Sequence, residues 1–320
     1  MPEETLQREG SLRAASLLAF AFLLIVPFLN VELTYYRSAL KLFAFQSVVA
    51  ALEVSYEGLR DKAKEFFPRL AVFPGGAWAY ELQAPDGTMT DTIRVICGVE
   101  DWEPAAAELV DKGLARLEAQ RYVLHSMVRR YGLELLEKSG EREAVERRAA
   151  EFFLALARFA NSKIGTDEAR LGLAMVEAER ANLLWGQRWY MEQGEWDKTI
   201  AYGYALDAPL DVGGYWAERL EVLEQAVEAA ERLGDKGIED KGKLIHNLAL
   251  ALQDMGDYAA ARRYYQQSLE IKKALGDKAG VSKSLHQLGM LAQDTGDYAA
   301  ARRYYQQSLE IKKALGDKAG

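Results

Sequence analysis

The sequence predicts a mainly α-helical protein, in which a small module of helices and one strand precedes a row of stacked helical hairpins. Two observations predict this fold class. The stretch GDYAAARRYYQQSLEIKKALGDKAG occurs at residues 256–280 and again, without a difference, at residues 296–320. Between residues 51 and 140, helical patterns surround one short alternating segment, RYVLH, which is typical of a strand. We therefore expect repeated structure in the second half of the chain.

The composition excludes several classes of function. The chain has 320 residues and a net charge of −8. Nucleic-acid binding needs basic surface that displaces counterions, so this acidic balance argues against a general affinity for nucleic acid. The one cysteine, Cys97, excludes an internal disulfide framework, and the three histidines lie too far apart in sequence to indicate a metal motif. We expect no metal site, no cofactor within this chain and a cytoplasmic location.

Residues 1–50 form an apolar amino-terminal segment of uncertain nature. The run from Ala14 to Leu29 is nearly uncharged, and Arg13 and Glu32 flank it. It is shorter than the roughly 20 residues that a membrane-spanning helix needs, and no basic signal-peptide region precedes it. Two interpretations stay open, namely a buried helix or unnatural amino terminus, and a membrane anchor or signal. The second would make the protein membrane-associated.

The repeated stretch has the pattern of an amphipathic helix. One face of the first copy carries Tyr258, Ala261, Tyr265, Ser268 and Leu269 at helical spacing. A second amphipathic helix precedes each copy, and short turns at Gly256 and Gly296 join the two helices. The unit is therefore a helical hairpin that buries its apolar faces by stacking on its neighbours.

This hairpin resembles the tetratricopeptide repeat, although the 40-residue spacing exceeds the usual period of about 34. The residues that carry the resemblance are Leu248, Ala249, Gly256, Tyr258, Ala261, Tyr265, Ser268 and Leu269, with their counterparts Leu288, Gly289, Gly296, Tyr298, Ala301, Tyr305, Ser308 and Leu309. We assign residues 211–320 to the repeats. No polar capping helix follows the second copy, so we expect the array to be part of a longer one. The resemblance implies a protein or peptide partner.

The inner helices of the two hairpins carry a recurring polar set, which we call the partner-binding strip. It consists of Lys243, His246, Leu250, Gln253 and Asp254, which recur as Lys283, His286, Met290, Gln293 and Asp294. At about 100° per residue, these positions lie on a face turned away from the apolar stripe. In tetratricopeptide proteins this is the concave face on which partner segments dock. The alternative is a solvated face that duplication has copied.

Residues 51–140 have the helix and strand order of a winged helix–turn–helix. The expected elements are a short apolar helix over 66–76, a helix over 103–118, the strand RYVLH, and a helix over 126–140. Ser126 is the expected cap of the last helix, and Gly140 lies past its end. Residues 141–210 are expected to form a helical linker or a repeat-like segment.

The segments LEVSYEGLRDKAKEFFPRLAVFPGG, LVDKGLARLE and RYVLHSMVRRYGLELLEKSG look like the winged-helix region of STAND-type signalling ATPases with an NB-ARC-like nucleotide-binding module. The resemblance implies a regulatory switch in which the winged helix relays partner binding to that module. In that family a histidine after the wing strand faces the phosphate of ADP, and His125 occupies the matching position. Ser126 departs from the acidic residue that often follows, and residues 79–95 look like an insertion.

Motifs for catalysis are missing from the printed sequence. It contains no G-x-x-x-x-G-K-[ST], no H-E-x-x-H and no G-x-S-x-G. We therefore expect no enzyme and no catalytic residues, with ADP or ATP relevant only if a nucleotide-binding module is supplied in cis or in trans. One alternative is a self-standing tetratricopeptide scaffold, tethered to a membrane through the run from Ala14 to Leu29. A DNA-binding regulator is less favoured, because Glu103, Glu108 and Asp111 offset Lys112 and Arg116 on the candidate recognition helix.

Overall fold

The computed structural model describes residues 49–79, 82–83 and 89–316, and the side chains of 80–90 are not described. The chain divides into two units, residues 1–59 and residues 60–320. In the first unit, helix α1 includes residues 49–57, and the Leu59 amide donates to the Tyr56 carbonyl at 3.0 Å. The run from Ala14 to Leu29 lies outside the described residues. Within the described ranges, no helix is both long and apolar enough to cross a membrane.

The second unit begins with a small module of helices and strands. Its elements are α2 (Asp61–Leu70), β1 (Ala77–Trp78), β2 (Leu82–Gln83), β3 (Met89–Thr90), α3 (Thr92–Cys97), α4 (Glu103–Asp111), β4 (Arg116–Glu118), β5 (Arg121–Val123) and α5 (Ser126–Ser139). Strands β1, β5 and β4 form an antiparallel sheet in that order, while β2 pairs with β3. The apolar side chains of Phe66, Phe67, Ile93, Ile96 and Leu109 are fully buried.

Three local predictions for this module are wrong, each for a physical reason. The helix predicted over 66–76 begins earlier, at Asp61, and ends at Leu70, since the amides of Ala71, Val72 and Phe73 donate to carbonyls three residues back, as in 3-10 turns. The helix predicted over 103–118 ends at Asp111, because Gly113 has a φ of 71° and residues 116–118 pair with β5. The cap of α5 is His125 rather than Ser126, whereas Gly140 closes the helix as expected.

The predicted insertion at residues 79–95 contains β2, β3 and the start of α3. Residues 80–81 and 84–88 of this segment lie outside the described part of the chain. The Asp91 side chain caps α3, since its Oδ1 accepts from the Arg94 amide at 2.9 Å, and its Oδ2 accepts from the Trp102 indole at 2.6 Å. The segment is thus joined to the start of α4 by hydrogen bonds.

The rest of the second unit is a row of helical hairpins. Its helices are α6 (Arg142–Lys163), α7 (Ala169–Glu192), α8 (Trp196–Val212), α9 (Trp216–Arg232), a 3-10 turn (Gly234–Gly237), α10 (Ile238–Asp254), α11 (Tyr258–Ala274), α12 (Lys278–Asp294) and α13 (Tyr298–Ala314). Consecutive helices pack as the hairpins α6/α7, α8/α9, α10/α11 and α12/α13, and each hairpin packs on the next. The predicted mainly helical fold is confirmed. The predicted boundary at residue 211 falls inside α8, and residues 141–210, predicted as a helical linker or a repeat-like segment, contain the first hairpin and most of α8.

The Gly-Asp pair in each repeated copy forms the turn between the two helices. Gly256 and Gly296 have φ values of 84° and 79°, a left-handed conformation that glycine adopts without steric cost. The next residues begin the outer helices, because Asp257 Oδ1 accepts from the Ala260 amide and Asp297 Oδ1 accepts from the Ala300 amide, both at 3.0 Å. The local sequence therefore fixes where each hairpin turns.

Small residues lie where the two helices of a hairpin approach closely. A Cβ atom at Gly289 would stand 2.6 Å from Cε1 of Tyr305, so this hairpin brings its two helices too close for a larger residue unless the tyrosine shifts. In the α10/α11 hairpin, Ala249 occupies the equivalent position, and Tyr265 is fully buried. The tyrosine of each copy thus fills the space that a small partner residue leaves.

Candidate functional site

The partner-binding strip lies on α10 and α12, and a hydrogen bond joins its two halves. The Gln253 amide nitrogen donates to Asp294 Oδ2 at 2.9 Å. Tyrosines of the outer helices orient the two glutamines, because the Tyr265 hydroxyl donates to Gln253 Oε1 at 2.9 Å and the Tyr305 hydroxyl donates to Gln293 Oε1 at 3.1 Å. The two copies therefore hold the side-chain oxygens of their glutamines in the same way.

Exposed cations and apolar side chains occupy the other part of the strip. Lys243 and Lys283 are exposed, and Lys243 forms an ion pair with Glu239 that raises its pKa. Leu250 is half-buried, whereas Met290 is 39% exposed. The strip thus offers ammonium groups, one accessible thioether and hydrogen-bonding amides on one surface.

The two histidines of the strip differ in their surroundings. His246 is half-buried, with its ring centroid 5.3 Å from that of Tyr265 and its Nδ1 3.4 Å from Ser284 Oγ. Burial lowers the pKa of His246 to about 4, and the nearby lysine charges add to the effect. His246 is therefore a neutral packing residue near pH 7. His286 is exposed, although its ring likewise lies 5.3 Å from Tyr305.

The aspartate of the first copy belongs to an ion cluster that joins two hairpins. Asp254 Oδ2 lies 3.2 Å from Nη1 of Arg219, whose side chain is 6% exposed. Arg219 also pairs with Asp207 at 2.8 Å and with Asp211 at 2.5 Å. Asn247 donates to the other oxygen of Asp207 at 2.7 Å. These contacts hold α10 against α8 and α9, and Asp254 contributes mainly to that packing.

A second polar cluster, which we call the junction, joins the strand module to α7. Arg121 in β5 donates to the carbonyls of Gly75, Gly76 and Ala178 at 3.1, 2.8 and 2.8 Å. Its guanidinium also lies 3.1 Å from the carboxylate of Glu179, which is 2% exposed. Arg121 therefore satisfies a buried carboxylate and three backbone carbonyls at once.

Asn182 completes the junction, one helical turn after Glu179. Its Oδ1 accepts from the Gly75 amide at 2.8 Å, and its Nδ2 donates to the Gly76 carbonyl at 3.1 Å and to Glu179. Burial raises the pKa of Glu179, although the charge of Arg121 opposes the shift. The sequence analysis missed this cluster, because its members come from three segments whose contacts span 45 to 107 residues, and only the i, i+3 spacing of Glu179 and Asn182 on α7 is visible.

His125, the nucleotide-sensing candidate, lies at the strand-to-helix connection between β5 and α5. It is exposed, and its Nδ1 accepts from the Met127 amide at 3.4 Å. The ring is therefore accessible at the amino end of α5, four residues after Arg121. Among the described residues, no group of three or more His, Cys, Asp or Glu side chains could hold a metal ion.

Comparison with known proteins supports the repeats directly. Residues 240–314, which include nearly all of α10 to α13, match the family model of the tetratricopeptide repeat. Those helices are tetratricopeptide-type hairpins, as their residues predict. The match covers a minority of the chain.

Longer relatives align with most of the chain. Proteins named "Putative HTH-type transcriptional regulator" from Mycobacterium bovis and from two strains of Mycobacterium tuberculosis are 29% identical over 260 residues. The alignment covers 75% of this chain and 27% of each relative, so the chain spans about a quarter of their length.

One solved structure aligns over a similar extent. It is the crystal structure of a Signal Transduction ATPase with Numerous Domains (STAND) protein with a tetratricopeptide repeat sensor from Pyrococcus horikoshii. It is 17% identical, and the match covers 82% of this chain and 46% of that chain, with a TM-score of 0.27. At that score the likeness carries no structural argument.

Proposed function

We propose that this chain is the regulatory, protein-interaction portion of a STAND-type signalling switch, and that it binds a protein or peptide partner through its repeats. The observation that carries the proposal is the partner-binding strip, in which four of the five side chains on α10 recur unchanged on α12 and Met290 takes the place of Leu250. Tetratricopeptide repeats generally mediate contacts between proteins, which supports an interaction role for residues 240–314. No catalytic step is assigned to the chain.

The chemistry of the strip suggests the kind of segment that it binds. Lys243 and Lys283 supply cations. Met290, which lies between Lys283 and Gln293 on α12, supplies an accessible apolar contact. Gln293 retains its amide nitrogen for a partner, since its oxygen accepts from Tyr305. We therefore propose an acidic peptide with one apolar side chain, which would be held by charge and by burial of that side chain.

The relay part of the proposal rests on the strand module and the junction. We propose that residues 51–140 contain a winged helix–turn–helix. The order α2, β1, α3, α4, β4, β5, with β1 beside β5, supports this. Arg121 links β5 to α7, so a displacement of the hairpins would reach β5 and then His125. A nucleotide-binding module, in cis or in trans, would receive the signal there.

The experiment that tests partner binding starts from a random peptide library displayed on phage, selected on the full-length chain. Selected peptides are then titrated against the parent chain and against Lys243→Ala/Lys283→Ala. The matched control is Lys273→Ala/Lys313→Ala, which removes two exposed lysines from the outer helices. We expect acidic peptides whose Kd rises at least tenfold in the strip variant and stays unchanged in the control. Equal affinity for both variants would refute the strip.

Hydrogen exchange tests the relay separately. We expect a selected peptide to change amide exchange in β5 and at the start of α5 in the parent chain, and not in Arg121→Lys. Peptide binding without any change in these segments would favour the alternative, a self-standing scaffold. In that case the partner-binding strip would remain supported as a binding site, and the proposal of a signalling switch would be refuted.

The DNA-binding alternative rests on the predicted winged helix, and the printed name of the relatives agrees with it. In this chain α4 carries Glu103, Glu108 and Asp111, and Glu108 is paired with Arg60 at 2.8 Å. Such a helix opposes the approach of phosphate groups. Salt-sensitive binding of a labelled 30-base-pair duplex by the full chain would favour this alternative.

A further inference from the structure

The aspartates of the partner-binding strip belong to a longer series that crosses three hairpins. This acidic row consists of Asp211 on α8, Asp254 on α10 and Asp294 on α12, each at or next to the last residue of its helix. The side chains of Asp211 and Asp254 are 41% and 48% exposed, and Asp294 is exposed as well. Because α8, α10 and α12 are the first helices of successive hairpins, the three carboxylates share one edge of the repeats.

Ion pairs and a hydrogen bond make the acidic row continuous. Nη1 of Arg219 lies 2.5 Å from an oxygen of Asp211 and 3.2 Å from an oxygen of Asp254. Gln253, which precedes Asp254, donates to Asp294 at 2.9 Å. The three carboxylates are therefore held in fixed positions relative to one another, and they form one acidic surface.

The acidic row keeps a negative charge. The guanidinium of Arg219 faces the carboxylates of Asp207, Asp211 and Asp254, and its side chain is 6% exposed. Within the described residues Asp294 forms no ion pair and accepts only from the neutral amide of Gln253. Carboxylates therefore outnumber cations here, and a cationic group of a partner would meet accessible oxygens.

The opposite ends of the same inner helices carry ammonium groups. Lys243 and Lys283 are exposed in the second turns of α10 and α12. Burial lowers the pKa of Lys272 to about 8, and the charges of Lys283 and Lys243 contribute to the shift, so the three cations lie close together. Glu239 pairs with Lys243, whereas Lys283 forms no ion pair within the described part of the chain. The surface thus has a basic side as well as an acidic one.

The distance between the two sides matches the width of a helix. Lys243 and Asp254 are eleven residues apart on α10, and α12 repeats the spacing. At a rise of about 1.5 Å per residue, the ammonium groups and the acidic row are about 16 Å apart. An α-helix with its side chains is about 10–12 Å wide, so it fits between them and lies over Leu250 and Met290.

We propose that the partner-binding strip and the acidic row together bind an amphipathic helix whose two flanks carry opposite charges. This inference rests on the proposed function, since it describes the partner of the same surface and adds a basic flank to the acidic segment. The acidic flank faces Lys243 and Lys283, the basic flank faces the acidic row, and apolar side chains between the flanks contact Met290. Attraction on both sides fixes the rotation of the bound helix about its axis.

The probe is a synthetic helix of three heptads, LEQAAQKLEQAAQKLEQAAQK, labelled with fluorescein and titrated into the full-length chain. In each heptad glutamate follows the leucine, and lysine precedes the next leucine. At about 100° per residue, the two charges lie on opposite flanks of the leucine stripe. The matched control peptide, LEQAAQKLKQAAQELEQAAQK, has the same composition and net charge, but both of its flanks carry mixed charges.

Fluorescence anisotropy gives the Kd, at one fixed ionic strength because salt screens exposed charges. We expect saturable binding of the two-flank peptide and at least tenfold weaker binding of the mixed-flank peptide. Asp254→Asn/Asp294→Asn should weaken binding of the two-flank peptide at least threefold, because it removes two charges and keeps the hydrogen-bond acceptors. The control Glu270→Gln/Glu310→Gln removes two exposed carboxylates from the outer helices and should leave the Kd unchanged.

Double-mutant cycles assign each flank to its side of the surface. Replacing the peptide lysines by glutamine should abolish the effect of Asp254→Asn/Asp294→Asn. Replacing the peptide glutamates by glutamine should abolish the effect of Lys243→Ala/Lys283→Ala. Each cycle thus measures the contacts of one flank alone.

Three results would overturn the inference, and they separate it from the proposed function. One is equal affinity for the two peptides, or no saturable binding of the two-flank peptide at millimolar concentration. Another is a Kd that responds to Lys243→Ala/Lys283→Ala but not to Asp254→Asn/Asp294→Asn, which would leave the partner-binding strip supported without a basic flank on its partner. If neither pair of substitutions changed the Kd, the inference and the binding role of the strip would both be refuted.

Discussion

Removing Arg121 should expose the strength of the junction between the strand module and α7. Arg121→Met leaves the Glu179 carboxylate buried without its cation, and it removes the donor from the carbonyls of Gly75, Gly76 and Ala178. Breaking a buried pair from one side costs about 3–5 kcal/mol. Protonation of Glu179 limits the cost, since neutralising a carboxyl of ordinary pKa at pH 7 costs about 3–4 kcal/mol. We therefore expect a loss of about 3 kcal/mol.

The assay is urea unfolding of the full chain at pH 7, followed by circular dichroism. Glu179→Gln should cost less than Arg121→Met, because the amide still accepts from the guanidinium. The double variant should cost less than the two single losses together, which a double-mutant cycle measures. The control is Arg116→Ala, which breaks the exposed pair with Glu118 and should cost no more than about 0.5 kcal/mol. Equal losses for Arg121→Met and Arg116→Ala would refute the reasoning.

Three further predictions concern buried titratable groups. The pKa of His246 is about 4 in the folded chain, against an ordinary value of 6.5. Between these two values the unfolded chain binds a proton at His246 that the folded chain does not bind. The free energy of unfolding therefore falls as the pH drops from 6.5 to 4, by up to about 3 kcal/mol. Urea unfolding from pH 7 to pH 4 should show a flatter dependence for His246→Gln than for the parent or for His286→Gln. Burial lowers the pKa of Lys272 to about 8, so its protonated form destabilises the folded chain at pH 7. Lys272→Met should therefore stabilise the folded chain by about 1 kcal/mol after allowance for solvent screening. Lys312→Met, at the equivalent position of the second copy, should stabilise it by less. Burial raises the pKa of the Cys97 thiol far above its ordinary value, so a thiol reagent should label it only as fast as the chain unfolds, and rapid labelling of the native chain would contradict this.

The repeats could be predicted from the sequence because short local patterns specify each hairpin, and the same 25 residues occur in two copies. Gly256 and Asp257 specify the turn, and the spacing of Ala261, Tyr265 and Leu269 specifies the buried face. Side-chain surroundings could not be predicted in the same way. The sequences of α11 and α13 are identical, yet the side chains differ in exposure. Contact with α12 buries Leu269, whereas Leu309 lacks such a contact within the described residues and is exposed.

The strand module was harder to predict because tertiary contacts override its local pattern. Leu114 and Leu117 continue the helical spacing of α4, but Leu114 is buried after the helix has ended and Leu117 is 53% exposed on β4. Apart from the i, i+3 spacing on α7, the sequence does not indicate the junction, since nothing local shows that the side chains of Arg121 and Glu179 are paired. Their pairing depends on how β5 meets α7.

The most direct test of the partner-binding strip uses the methionine methyl groups as reporters. Met290 lies in the centre of the strip and is 39% exposed, whereas Met255, in the α10–α11 turn and outside the strip, is 46% exposed. The chain is labelled with ¹³C at the methionine methyl groups and titrated with a selected acidic peptide. We predict that the Met290 resonance shifts with a saturation curve matching the Kd while Met255 stays unchanged. A bound peptide that leaves the Met290 resonance unmoved would contradict the account.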